Sequence, residues 1–120
     1  MGGLAGILPS MKLRSLVAAA LAAISLPVLA GGTQSGQITQ IAVRASDGLI
    51  VVYMSGTATG RPSCGASQPY WIVKDENSTT GKQQLAALMA ARTTGQNVTI
   101  TGLGTCTRWS DGEDINMVSF

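Results

Sequence analysis

The residues with chemistry to offer cluster near the C-terminal end. Arg108, Trp109 and Asp111 lie within four positions, and Glu113 and Asp114 follow directly. Three carboxylates so close suggest a cation loop or an acid pair. Calcium, however, needs several oxygens at a defined loop spacing, and no EF-hand pattern is present. A glycosidase pair needs a second carboxylate brought from elsewhere, and none is marked in the sequence. The segment therefore reads as a solvated acidic turn. Trp109 beside Arg108, Ser110 and Asp111 is a different matter. An indole stacks on a sugar ring while its charged neighbours bond the hydroxyls. The same residue types also build subunit contacts, and a Trp can equally be core. Tyr70 and Trp71 are neighbours on one extended run, so their side chains face opposite ways. The candidate ligand-binding residues are thus Tyr70, Arg108, Trp109 and Asp111.

The rest of the inventory excludes more than it offers. The chain has 120 residues, two cysteines and no histidine. Ser-His-Asp and Cys-His catalysis are absent, as is any histidine-held metal. No catalytic residue, metal ligand or cofactor site is assigned, and the chain reads as a non-enzyme. Residues 78–82 (STTGK) resemble part of a phosphate loop, but Glu76 stands where that motif needs its first glycine. The sequence around them reads instead as a helix start.

Lys12 and Arg14 precede an apolar run over 16–26 that ends at Pro27, Val28 and Ala30. This is the pattern of a secretory leader, with Met11 as the start and cleavage after Ala30. Residues 31–120 then form a single domain with six basic and six acidic residues. That neutral balance argues against a nucleic-acid partner, and no membrane span remains after processing. A periplasmic or secreted location makes a Cys64–Cys106 disulfide the expected state, since two cysteines allow one pairing.

These residues need a scaffold. Residues 31–36 read as a flexible start. Residues 37–44 read as a strand, with Ile41 and Val43 alternating against Gln40 and Ala42. Asp47 and Gly48 form a hairpin turn in which both residues tolerate positive φ. Residues 49–54 (LIVVYM) form a buried strand, and 70–73 (YWIV) a third. Thr80 and Gln83 have capping-box spacing. Leu85, Leu88 and Met89 then set a narrow apolar helical stripe, with Arg92 in the last turn and Gly95 at the C-terminal cap. Residues 97–103 return to period two, with Val98 and Ile100 on one face. Residues 115–120 form the last strand.

The order β-β-β-α-β-β predicts a mainly β domain with one helix. It is the order of the OB-fold, a small Greek-key barrel. An open α+β sheet with the helix on one face uses the same order.

Three segments carry a resemblance to a known family. Ile38, Thr39 and Gln40 open the first strand. Thr93, Thr94, Gly95 and Gln96 end the helix ahead of Val98. Gly102, Leu103, Gly104, Thr105, Cys106 and Thr107 match a Gly-Leu-Ser-Thr-Cys-Thr segment. In these the chain resembles the B subunits of bacterial AB-type pentameric toxins, the subtilase cytotoxin and typhoid toxin group. The resemblance implies a secreted OB-fold that assembles as a homo-oligomer, a ring of five. It also implies a cell-surface glycan as ligand and a catalytic A subunit as partner. Those subunits carry more cysteines, and no sugar-contacting residue is carried over from them. A periplasmic structural or inhibitor-type module that binds a protein through the Trp109 loop is the competing expectation.

Overall fold

The computed structural model describes residues 31–120. The expected leader, Met11 start and Ala30 cleavage site lie outside the described residues. Five strands form a closed barrel: β1 (Thr33–Val43), β2 (Ile50–Met54), β3 (Tyr70–Ile72), β4 (Asn97–Gly102) and β5 (Glu113–Ser119). One helix, α1 (Thr79–Thr94), lies between β3 and β4. The barrel order is β1-β2-β3-β5-β4, with β3 and β5 parallel and every other pair antiparallel. The five-strand closure fits the OB-like expectation and removes the open-sheet alternative.

β1 makes closure possible by serving two neighbours. Thr33 to Gln37 pair with β4, and Ile38 to Val43 pair with β2. Its register slips between Ile38 and Gln40. Such an irregularity bends a strand and changes which side chains face inward. Gln34 and Ile38 are buried before it, Ile41 is only half-buried after it, and Val43 is exposed. The expected inward pairing of Ile41 with Val43 therefore fails at Val43. Residues 31–36 are not a loose start either, because the strand begins at Thr33 and pairs with β4 throughout.

The core is built from alternate strand positions. Ile50, Val52 and Met54 come from β2, Val98 and Ile100 from β4, Trp71 from β3 and Ile115 from β5. The helix closes this core with Leu88 and Ala91. Leu85 only packs against its edge, and Met89 is 55% exposed. The buried face thus runs through Gly81, Leu88 and Ala91, not along the predicted Leu85/Leu88/Met89 stripe. The small side chains set this position. A Cβ on Gly81 would collide with the Asp75 carbonyl, so the helix start lies directly on the chain before it.

The helix is capped by Ser78, whose Oγ accepts from Gly81 N at 2.9 Å, so the Thr80/Gln83 capping box does not form. Gly95 ends the helix in the left-handed conformation, as predicted. In the first hairpin only Gly48 takes a positive φ. Asp47 acts through its side chain instead, accepting from Leu49 N at 3.2 Å. The larger correction concerns the acidic turn. Glu113 and Asp114 are fully buried and begin β5, opposite Trp71 and Ile72.

Candidate functional site

The β4–β5 connection is wound around one carboxylate. Asp114 accepts from Thr105 Oγ1 at 2.7 Å, Thr107 N at 2.9 Å, Thr107 Oγ1 at 2.7 Å and Arg108 N at 3.3 Å. Its own N–H donates to the Thr105 carbonyl at 2.8 Å. A buried carboxylate is tolerated only when its oxygens are satisfied in this way. Burial pushes the Asp114 carboxyl up, but the Thr107 hydroxyl and amide, the Thr105 hydroxyl and the Arg108 amide outweigh it. The net result lies below the ordinary value. The Cys64–Cys106 disulfide ties this connection to the β2–β3 loop, with Cα atoms 6.3 Å apart. A disulfide of this kind is consistent with a location outside the cytoplasm.

The wound loop presents Arg108 and Trp109 at its tip, and two networks flank the indole. On one side, Asp111 accepts from the Tyr70 hydroxyl and, at 3.1 Å, from Gln68 Nε2. Tyr70 also packs edge-on against Tyr53, with ring centroids 5.7 Å apart. Burial, followed by the Asp111 contact, raises the Tyr70 hydroxyl above its ordinary value, so it stays protonated and donates.

On the other side lies an ionic chain. Arg108 grips Glu76 with two bonds of 3.1 and 2.9 Å, and its Nη2 donates to the Asp47 carbonyl at 2.9 Å. Arg44 holds Asp47 in the same forked manner, at 2.9 and 2.6 Å. The Arg44 guanidinium also lies over the Trp109 ring, 4.8 Å from its centroid. The Arg44 fork holds Asp47 far below the ordinary carboxylate range, and the Arg108 fork lowers Glu76.

The structure therefore gathers all four predicted residues on one rim but divides them. Tyr70 and Asp111 bond each other, Trp109 stands between, and Arg108 turns away toward Glu76. Arg44, Asp47, Glu76, Gln68 and Tyr53 complete the rim and were not anticipated. Arg44 and Asp47 sit three apart across a turn, a spacing that suits a local ion pair. Glu76 has no such local signal, since its partner lies 32 positions away. Among the described residues, no three His, Cys, Asp or Glu side chains group as a metal site.

Chemically, the rim offers a half-buried indole, two phenols, an amide, two guanidinium groups and three carboxylates. Each carboxylate oxygen retains accepting capacity beyond its bonds to protein. Neither a scan against protein-family models nor a search of curated proteins finds a match to this chain.

Proposed function

We propose that this chain is an exported, non-enzymatic binding domain that recognises a cell-surface glycan and acts as a homo-oligomer, in the manner of a toxin B subunit. One observation carries the reading: the Trp109 indole stands half-exposed between fixed hydrogen-bonding networks. A sugar presents an apolar ring face edged by hydroxyls, and this arrangement offers a partner for each. Because the rim groups already hold one another, binding orders little that was free, which favours a small rigid ligand.

The oligomer rests on a second surface, the groove between β1 and α1. Val43 is 62% exposed and Met89 55%, beside Ile41 and Leu85, in a groove of about 450 Å³ between β1 and α1. Exposed apolar residues gathered in a groove mark a surface that another protein covers. This groove also favours the second reading, a periplasmic module that binds a different protein.

A glycan array probed with the exported protein tests the first reading. At least one glycan class should bind, and Trp109→Ala should weaken it at least tenfold without unfolding the domain. Blank arrays together with a strict monomer in static light scattering sink it. Affinity capture then separates the alternatives, because recovery of one defined protein supports the module.

A further inference from the structure

Glu113 is fully buried at the start of β5, and it is served on one side only. Its Oε2 accepts from Gly32 N at 2.8 Å and from Gly104 N at 3.1 Å. Among the described residues, its Oε1 has no hydrogen-bond partner. The nearby Arg61 does not fill the gap. Its Nη1 donates to the carbonyls of Gly65, Gln68 and Tyr70, its Nη2 reaches Gln34, and its guanidinium lies 4.2 Å from the Trp71 ring centroid. A buried carboxylate with one idle oxygen is costly unless a donor reaches it.

Gly31 and Gly32, the first described residues, lie against this carboxylate. Gly102 N donates to the Gly32 carbonyl at 2.8 Å. A Cβ on Gly31 would fall 2.7 Å from Glu113 Oε2 and would collide with the Gly102 carbonyl. A Cβ on Gly32 would fall 2.9 Å from Glu113 Oε1 and 2.7 Å from Arg61 Cγ. Both glycines are therefore required by close packing, Gly31 against the Gly102 carbonyl and Gly32 between Arg61 and Glu113. Arg61 meets Gly32 with its aliphatic stem; its buried Nε has no hydrogen-bond partner among the described residues, and Glu113 acts on its guanidinium through charge alone. Gly31 itself is half-buried, which leaves an ion there partly in contact with water.

We propose that Glu113 is the internal counter-ion of the processed N-terminus. Water adds across the Ala30–Gly31 bond under a leader-removing endopeptidase. The Ala30 carboxyl leaves as a carboxylate, and its proton goes to the Gly31 amine. The resulting α-ammonium has three donors, and Glu113 Oε1 and the Gly102 carbonyl accept from it. The charged groups facing it are Glu113, which attracts it, and Arg61, whose guanidinium feels the same Glu113 charge without a direct bond to it and opposes the ammonium. Leader removal thus completes the charge pairing of the barrel and holds its first strand. The pairing rests on cleavage after Ala30 and is independent of what the rim binds.

The test uses the full chain exported from a bacterial host. Intact mass identifies the mature N-terminus, which is expected at Gly31. Competitive acetylation against a free glycine peptide then gives the pH midpoint of the α-amine. The midpoint should lie about one unit above the ordinary 7.7–8.0. It should return to that range in Glu113→Gln. A form that begins at Ala30 should melt several degrees lower at neutral pH. A raised amine stabilises fully below its unfolded value and loses that effect as pH rises through its folded value, so the difference should close above about pH 9.

If Glu113→Gln does not fold, the wild-type midpoint and the Ala30 form still decide. A mature terminus other than Gly31 overturns the leader reading, and this proposal with it. A Gly31 terminus with an ordinary midpoint overturns the pairing alone.

Discussion

On the rim of the barrel, Asp114 accepts four hydrogen bonds and a disulfide spans the two loops beside it. On the helix flank, by contrast, few directional bonds tie α1 to the strands. Gln84 Nε2 reaches the Asn116 carbonyl at 3.0 Å, and Gln37 Nε2 reaches the Gly95 carbonyl at 2.8 Å. Otherwise the helix is seated by Leu88 and Ala91, with Met89 and Val43 left in solvent. The two regions are thus held by different forces. Directional bonds fix atoms to within tenths of an ångström, which suits a small polar ligand. Apolar contact is tolerant of shape and direction, which suits a second protein surface.

The largest effect should come from cutting the rim's covalent tie. The cysteines are 42 positions apart, and closing a loop of about that size is worth roughly 4 kcal/mol in the chain-entropy model. Cys64→Ser and Cys106→Ser should each lower stability by about that amount, and equally, in urea unfolding followed by fluorescence. Free-thiol labelling of the native exported protein would show that the rim is held by its hydrogen bonds alone.

Asp114→Asn comes next. It leaves the size unchanged but turns an amide NH₂ toward hydroxyl and amide donors. A loss of about 3 kcal/mol is expected, because a buried charged acceptor is removed and its donors are stranded. The pH dependence sharpens the attribution. Asp114, Glu76 and Asp47 all lie below their ordinary values in the folded chain. Each therefore stabilises fully above the unfolded carboxylate range, near pH 4, and loses that effect as pH falls through its folded value. Wild type should lose stability below about pH 4, and Asp114→Asn should lose less. Equal acid sensitivity in both would move the effect to the Arg44/Asp47 and Arg108/Glu76 pairs.

The sequence carried the barrel far better than it carried the rim. Period-two runs, the helical segment and Gly95 are local signals, and they placed every element within a few residues. The failures at the acidic turn share one physical cause. Glu113 and Asp114 look solvated in sequence because charge normally seeks water. Only their partners, such as Gly32 at a separation of 81, make burial tolerable, and no local pattern announces a partner so distant. Val43 failed for a different reason: it shares a face with Ile41 beyond the register slip, but it is the last residue of β1 and lies outside the core, 62% exposed. On the rim, residue type and proximity had singled out Tyr70, Arg108, Trp109 and Asp111 as neighbours. Their division into two networks depended on Arg44 and Glu76, which arrive from other parts of the fold.

The smallest effect on stability should come from the helix flank, and there the comparison is most exposed to refutation. The side chains of Met89 and Val43 make no bond that the fold requires, and both lie mostly in water. Substitutions at such positions change stability by about 0.5 kcal/mol or less. Met89→Glu and Val43→Lys should therefore leave the unfolding midpoint nearly unchanged. Their effect should appear in static light scattering, where an oligomeric wild type should give way to monomer. A charge forced into an apolar contact loses its hydration with no partner to replace it. A ligand bound at the rim should still be bound by each variant, with weaker avidity but the same single-site affinity. If the variants stay oligomeric, assembly uses a different surface. If instead they lose single-site affinity, the rim and the flank act as one site, and the division between the two regions fails.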